Sequence, residues 1–392
     1  MVENLKESMK QNRNIVKDYI FKETNGFEEK IYWDKSLESW IIVDNELGRS
    51  ILSSPDFTAN RKKKDIEKMD ATDTQKQILK TFYTNWLMYM DGEKHIALRK
   101  KMQKPVNKVK KEVTSISEEV SSDILKKLKG RVNAVDEIAK PFSYKFLSKV
   151  FGISIEDYIN ILNVSTSAVN FLWIADPSEY EISKTVDSIV NTNQYINDII
   201  AEKRYNDVGL FKLMLDNISE ETEFTIALIN MVIDGHEPFQ SSLTNLIFHY
   251  IHFKGKGVKE ISDKDLINES IRYEPPFSYC ARECVEQTNL DGKTINVGDR
   301  VMLILYISNN NERSIDEPDN LVCPHSKKEN LSFGYGTHRC LGANITILSL
   351  VSFLKSFKQN DECNNWQIED YSYHTTYGFI EFKNLYLESI NE

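Results

Sequence analysis

The sequence predicts a mainly α fold with small β-sheets, built as a single domain over residues 1–392. Only 15 glycines and 9 prolines punctuate the chain, and no low-complexity linker or internal repeat divides it. Apolar residues recur at helical spacing over most of its length, whereas runs typical of strands are short. Hydrophobic residues make up 41% of the sequence, which is enough to bury a sizeable core.

The elements follow from local patterns. Helical spacing predicts helices over these ranges: 1–30, 45–52, 86–111 with a break at Pro105, 132–151, 155–206 with a break at 176–177, 222–252, 262–273 and 343–354. Gly152 is a typical helix C-cap. Short strands are predicted at 31–33, at 40–43, within 280–307 around a turn at Asp291-Gly292, and as a hairpin over 371–387. The polar residues 56–80 favour a solvated loop.

Charge and hydropathy exclude several classes of protein. The formal net charge of −10 argues against general nucleic-acid binding, because phosphate contacts need a basic face. No apolar run reaches the length of a membrane span, and the polar start lacks an apolar signal segment. We therefore expect a soluble cytoplasmic protein that binds neither nucleic acid nor membrane.

Five cysteines lie in the last third of the chain, and their odd number does not favour a disulfide framework. Cys340 is distinctive because it stands among glycines directly before a predicted helix, where the helix dipole favours a thiolate. Such a thiolate suits a metal ligand. A structural zinc site formed by Cys280, Cys284, His338 and Cys340 is the alternative, although a Cys-x-x-Cys pair is lacking.

The stretch from Phe333 to Gly342 reads Phe-Gly-Tyr-Gly-Thr-His-Arg-Cys-Leu-Gly. It resembles the haem-binding signature of the cytochrome P450 family, with Cys340 at the position of the axial thiolate. The resemblance implies a single-domain P450 fold with haem b (iron protoporphyrin IX) between the long central helix and the cysteine loop. It also implies an oxidoreductase, a monooxygenase that uses dioxygen. Phe333 belongs to the haem-contacting part of the signature.

Glu269 and Arg272 stand three residues apart on a predicted helix, so they share one face and can form a charge-assisted pair. A solvated surface pair is the alternative. The segment resembles the Glu-x-x-Arg helix of the family, whose pair locks the core on the cysteine side of the haem. The family adds an arginine from the following irregular segment, where this chain has Asn320, with His325 as an alternative.

His95 and Arg99 stand four residues apart and project from one helical face, where a solvated helix is the alternative explanation. The segment resembles the propionate-binding helix of the family. The resemblance implies that His95, Arg99, Arg282 and His338 bind the haem propionates.

The long central helix contains Asp234-Gly235-His236-Glu237-Pro238. It resembles the oxygen-activating segment of the family, Ala-Gly-x-Glu-Thr-Thr, in which Gly235 and Glu237 match. Pro238 replaces the alcohol that normally helps to deliver protons, and Asp234 replaces a small residue. Our hypothesis is that Asp234, Glu237, an ordered water or a substrate hydroxyl or amide delivers protons. Inefficient delivery is the alternative. The Glu-Pro version also resembles family members that oxidise cyclic dipeptides.

A basic run without an intervening acid follows His95: Arg99, Lys100, Lys101, Lys104, Lys108, Lys110 and Lys111. A solvated helix face explains most such runs. In this family, acidic ferredoxins or flavodoxins dock near this helix, and complementary charge speeds encounter. The resemblance therefore implies a separate electron donor of that kind, and Arg339 can join its docking surface.

Taken together, these motifs predict a monooxygenase that oxidises a small organic molecule, a specialised metabolite of peptide-derived or aromatic character. Two alternatives stay open. One is an oxidative-coupling or peroxide-using variant, in which Pro238 reflects a different reaction. The other is a haem protein that binds a partner or gas without turnover, and the presence of both Cys340 and Glu237 argues against it.

Overall fold

The computed structural model describes residues 4–11, 13–174, 177–254, 261–310, 329–375 and 378–389. Its α-helices are α1 Leu5–Ser8, α2 Arg13–Glu23, α3 Asn45–Ser53, α4 Lys62–Lys68, α5 Asp73–Thr84, α6 Gly92–Val109, α7 Val113–Leu125, α8 Lys140–Phe151, α9 Ile155–Asn170, α10 Glu179–Ala201, α11 Leu210–Leu215, α12 Glu221–His252, α13 Asp263–Tyr273, α14 Leu305–Asn309, α15 Ala343–Gln359 and α16 Asp361–Asn364. Its strands are β1 Ile31–Asp34, β2 Ser39–Ile42, β3 Phe57–Thr58, β4 Val132–Asn133, β5 Tyr279–Cys284, β6 Thr288–Leu290, β7 Lys293–Ile295, β8 Arg300–Ile304, β9 Trp366–Thr375 and β10 Ile380–Ser389. The mainly α fold with small sheets is confirmed.

The chain divides into two compact units. The first unit comprises Met1–Thr58, Ser121–Lys140 and Gln240–Glu392, and the second comprises Ala59–Val120 and Pro141–Phe239. The four boundaries fall after β3, within α7, after the first residue of α8 and within α12. The single domain over residues 1–392 stays a prediction.

The first unit contains the sheets. A five-stranded sheet has the order β1-β2-β8-β5-β3, in which β2 and β8 run parallel and the other neighbours antiparallel. One apolar cluster joins this sheet to the N-terminal helices through Leu5, Val16 and Ile304, all buried. A second cluster joins it to α3 and to Leu331, directly before the cysteine stretch. The sheet therefore forms part of the support of that stretch.

Two smaller sheets complete the first unit. β6 and β7 form a hairpin whose turn residues Asp291 and Gly292 both have positive φ, which confirms the predicted hairpin. The other sheet has the order β4-β10-β9, and its β9–β10 hairpin begins at Trp366, earlier than predicted.

The second unit is helical, and stacked aromatic side chains form much of its core. Phe142, Phe146 and Phe239 stack on one another with ring centroids 5.2–6.1 Å apart. Tyr83 stacks between Trp86 and Phe171, at 5.7 and 5.4 Å. All six are buried, so Phe171 belongs to the core of this unit.

The predicted loop over residues 56–80 is wrong. It contains β3, α4 and the first part of α5. The helix α4 is polar except for the fully buried Ile66, so the composition of this stretch does not indicate a helix. A capping box begins α5: the Gln75 N–H donates to Thr72 Oγ1 and the Thr72 N–H donates to Gln75 Oε1.

The predicted break at Pro105 is also wrong, because α6 continues to Val109 with Pro105 inside it. The lost hydrogen bond is offset by packing, since Met102, Pro105, Val106 and Val109 are all buried. Elsewhere, residues 132–139 form β4 and a π-helical turn, Ala134–Ala139, rather than the start of an α-helix. Residues 305–309 are helical rather than extended.

We expect Gly152→Ala to lower the free energy of unfolding by about 2–4 kcal/mol, through left-handed strain and overpacking. Gly152 ends α8 with φ +74°, and an added Cβ would lie 2.7 Å from Gly209 Cα and 2.5 Å from Asn206 Oδ1. Urea unfolding measures the loss. Gly292→Ala is the matched control, because φ is +80° there while no described atom lies within 4 Å of the added Cβ. Equal losses in both variants would contradict the predicted clash.

Candidate functional site

The cysteine loop, residues 333–342, lies directly before α15. Gly334 and Gly336 both have φ +69°, a conformation that favours glycine. The Cys340 N–H donates to the Phe333 carbonyl at 2.8 Å and closes the loop. Cys340, whose thiol is exposed, stands three residues before Ala343, the first residue of the 17-residue helix α15. The helix N-terminus favours the thiolate form of a nearby cysteine.

The helix α3 supports the opposite side of this loop. A Cβ at Gly336 would lie 3.1 Å from the Leu52 carbonyl oxygen, so backbone packs on backbone there. The Arg49 guanidinium lies 4.9 Å from the centre of the Tyr335 ring. Arg339 pairs with Glu329 at 2.6 Å on the surface. The loop that carries Cys340 is thus held by its internal hydrogen bond and by contacts with α3 and with Glu329.

Glu269 and Arg272 form the predicted pair on α13. Arg272 Nε and Nη2 lie 3.0 and 2.9 Å from Glu269 Oε2, and the two side chains are only 1% and 8% exposed. The surface alternative is therefore wrong. Arg272 also donates to Asn310 Oδ1. The pair predicted from helical spacing is confirmed as a buried contact.

A hydrogen-bond network that sequence reasoning missed links this pair to the cysteine loop. The Leu331 N–H donates to Asn309 Oδ1 at 2.8 Å, and Asn309 Nδ2 donates to Ser332 Oγ at 2.9 Å. Ser332 Oγ in turn donates to the Ile271 carbonyl at 2.8 Å. The only sequence signal was the asparagine run after β8. Asn320 and His325, expected to supply the third contact, lie outside the described residues.

The predicted propionate-binding residues fall in both units. In the first unit, Arg282 on β5 is 8% exposed and donates to the Ala281 carbonyl at 2.8 Å. His338 ends a 3-10 turn, Gly336–His338, and is partly buried. In the second unit, His95 on α6 is 2% exposed and Arg99 is partly buried. His95 therefore does not lie on a solvated helix face.

The basic run on and after α6 is mostly exposed. Lys101 pairs with Glu223 inside the second unit. The remaining lysines are exposed to solvent: Lys100, Lys104, Lys108, Lys110 and Lys111. They form a local run of exposed positive charge in a chain of net charge −10.

Asp234 is the most perturbed acid of the central helix. The pKa of Asp234 is raised to about 7 in total: burial raises it most, a hydrogen bond from Asn230 lowers it, and the charge of Glu237 raises it. Asn230 Nδ2 contacts Asp234 Oδ2, and Asn230 Oδ1 accepts the Leu87 N–H at 3.2 Å. Glu237 is exposed. At neutral pH Asp234 therefore exchanges between its two protonation states.

The neighbouring residues on α12 have other roles. His236 is buried, stacks on Tyr144 at 4.8 Å and contacts the Tyr158 hydroxyl at 3.4 Å. Burial lowers the pKa of His236 to about 4, so it is neutral at pH 7. Gly235 leaves open space, because an added Cβ would meet no described atom within 4 Å. The helix continues through Pro238.

The donor set fits a haem. A haem iron needs one soft axial ligand from the protein, and its two carboxylates need cationic or donor groups. Within the first unit, the exposed Cys340 thiol and the buried Arg282 guanidinium meet these needs.

The zinc alternative is wrong. Cys284 is buried and donates its thiol proton to the Glu286 carbonyl at 3.0 Å, and burial raises its pKa. Among the described residues, which include all four residues of the suggested zinc site, no group of three His, Cys, Asp or Glu side chains could hold a metal ion. Likewise, none of the helices described here combines the length and apolar character needed to cross a membrane.

Comparison with known proteins agrees with this geometry. The family model described as Cytochrome P450 matches residues 264–362, which include Glu269, Arg272 and Cys340. The "Biotin biosynthesis cytochrome P450" of Bacillus subtilis is 24% identical over 66% of this chain and 67% of its own length. The "Cytochrome P450 monooxygenase PikC" of Streptomyces venezuelae is 22% identical over 79% and 75%.

Solved structures show the same fold over nearly the whole chain. The crystal structure of P450BioI in complex with an acyl carrier protein ligated to hexadec-9Z-enoic acid superposes with a TM-score of 0.80. It is 20% identical and covers 95% of this chain and 98% of that one. The family match, the relatives and the fold agree: all support the cytochrome P450 family of haem-iron oxidoreductases and a monooxygenase activity.

Proposed function

We propose that this protein is a haem-thiolate monooxygenase that oxidises a small organic molecule, a specialised metabolite of peptide-derived or aromatic character. The observation that carries the proposal is the exposed Cys340 on its glycine loop, tied to the buried Glu269–Arg272 pair. The substrate class rests on the Glu237-Pro238 sequence, which resembles that of members acting on cyclic dipeptides. The proposed site of action is the cytoplasm.

The cofactor we propose is haem b. Cys340 would hold its iron, and its carboxylates would be held by His95, Arg99, Arg282 and His338. Phe333 and Gly235 would lie against the porphyrin. When bound, thiolate-ligated haem iron supplies the activation of dioxygen that oxidation of an organic substrate requires.

Asp234 is our choice for the group that donates protons during the reaction, because Pro238 has no hydroxyl to do so. A carboxyl with a pKa near 7 is well matched to donating a proton at neutral pH. Glu237 is exposed, so it can exchange protons with solvent. It stands three residues after Asp234 on the same face of α12 and can pass a proton inwards.

We expect Asp234→Asn to reduce product formed per electron consumed by at least about tenfold, since a positioned general acid contributes 10²–10⁴-fold and water can replace part of that. In the parent protein, coupling should fall as pH rises through about 7, because the donor loses its proton. In the variant this pH dependence should disappear. Asp216→Asn, which removes an exposed partner of Lys212, is the control. Unchanged coupling would assign proton delivery to water or to a substrate group.

The electron donor we propose is a ferredoxin or flavodoxin. The exposed lysines of the basic run offer a positive surface to such an acidic partner, and complementary charge raises the rate of encounter. Lys101 contributes less, because it already pairs with Glu223.

The test of the proposed function is the optical spectrum of the purified protein, reduced and exposed to carbon monoxide. A thiolate-type red-shifted Soret band supports it, and a low-to-high-spin shift on titration then identifies substrates. A histidine-type band would overturn it.

The second candidate, a peroxide-using or coupling variant, is favoured by Pro238 alone. Turnover with peroxide and no reductase would distinguish it from the first.

A further inference from the structure

We propose that Asn230 is a positioning residue for Asp234, which fixes the carboxyl on α12 and ties it to the turn Leu87–Tyr89. This inference rests on the proposed role of Asp234 in proton delivery. It concerns residues of the second unit only.

Two hydrogen bonds fix the direction of the Asn230 amide. The residue is 5% exposed and stands one turn before Asp234. Its Oδ1 accepts the Leu87 N–H at 3.2 Å, and its Nδ2 donates to Asp234 Oδ2. Turning the amide over would place its NH₂ group against a backbone N–H and its oxygen against a carboxylate. The donor therefore always faces the acid.

The backbone at Leu87 is itself held by the aromatic core. Trp86 is fully buried and stacks on Tyr83, and Tyr83 stacks on Phe171. The Tyr83 hydroxyl donates to the Ala168 carbonyl at 2.7 Å. Because Trp86 directly precedes Leu87 and is packed in this stack of rings, the position of the Leu87 N–H is fixed. Asn230 thus links the Leu87–Tyr89 turn to the Asp234 carboxyl on α12 and positions that carboxyl relative to the turn.

The bond also affects the protonation of Asp234. A donor facing a carboxylate favours its charged form, whereas burial and the nearby Glu237 favour the neutral form. The other titratable group beside them is His236, which is neutral and faces Tyr144 and Tyr158 from α8 and α9. Among the described residues, Glu237 is the charged side chain that shifts the pKa of Asp234.

The experiment is an infrared titration of the purified haem protein, in which the carboxyl band that disappears in Asp234→Asn is assigned to Asp234. Asn230→Leu removes the donor, so the titration midpoint should move to higher pH by about one unit, a tenfold change in the protonation equilibrium. Asn230→Asp keeps an oxygen for the Leu87 N–H but places two acids together. The pair should share one proton and release it at higher pH than the parent does.

Asn245→Leu is the matched control. Asn245 lies on the same helix, is 2% exposed and donates to the Glu274 carbonyl at 3.1 Å. Its loss should lower stability and leave the Asp234 band in place. If both Asn230 variants titrate like the parent, the inference is overturned. If one variant does not fold, the other decides.

Failure of this inference and failure of the proposed function give different results. A shift of the titration midpoint of the Asp234 carboxyl in the Asn230 variants supports the positioning role. If the pH dependence of coupling then fails to follow the midpoint, Asp234 is not the donor, and the proposed function loses that step. The carbon monoxide spectrum tests haem-thiolate ligation independently of either result.

Discussion

Cys340→Ala is expected to abolish both the thiolate-type carbon monoxide band and substrate oxidation, while the helical fold persists. The exposed thiol is the proposed ligand of the haem iron, so its removal would take away that ligand and not a part of the core. Because the side chain is exposed, the free energy of unfolding of the protein without haem should change by less than about 0.5 kcal/mol. Absorption spectra and urea unfolding measure the two effects separately.

Cys284→Ala provides the comparison for that variant. This cysteine, the last residue of β5, is fully buried in the apolar cluster that joins the sheet to α3, and its thiol donates to a backbone carbonyl. Its loss should lower stability and keep the thiolate-type band. If Cys340→Ala kept that band, or if Cys284→Ala lost it, the assignment of the axial ligand would have to be abandoned.

Arg272→Ala is expected to destabilise the protein by about 3–5 kcal/mol, because it leaves the Glu269 carboxylate buried without its partner. It also removes the contact with Asn310 at the end of α14, next to the Asn309 network that supports the start of the cysteine loop. Haem content per chain should therefore fall together with stability. Urea unfolding and the ratio of haem to protein absorbance measure both.

A double variant separates the charge from the packing. Replacing a buried pair with apolar residues costs much less than breaking it, so Glu269→Leu with Arg272→Met should recover much of the lost stability. Lys212→Ala, in a partly exposed pair with Asp216, should change little. Equal effects of Arg272→Ala and Lys212→Ala would show that the buried pair does not stabilise the fold as proposed.

Sequence reasoning succeeded where a feature depends on neighbours along the chain. The Glu269–Arg272 pair follows from helical spacing, and the β6–β7 turn follows from Asp291-Gly292. It failed where distant residues decide. The contact between Arg272 and Asn310 spans 38 positions, and the Leu87–Asn230 bond spans 143. No local pattern indicates either of them.

The wrong predictions at α4 and at Pro105 have a different cause. α4 has one fully buried apolar residue, Ile66, so its helical period is almost invisible in a polar stretch. The break predicted at Pro105 does not occur, because the cost of proline in a helix is local, whereas the buried neighbours of Pro105 on α6 supply a larger tertiary gain.

Pro238 has a structural consequence for Asp234 beyond the missing hydroxyl. In an α-helix the N–H of residue 238 would donate to the carbonyl of residue 234, and proline has no N–H. The departure at 238 thus removes the helical donor of the backbone carbonyl of the residue that carries the acid. The two departures from the family pattern therefore meet at one residue, since Asp234 carries the acid and also the backbone carbonyl that position 238 would otherwise bond.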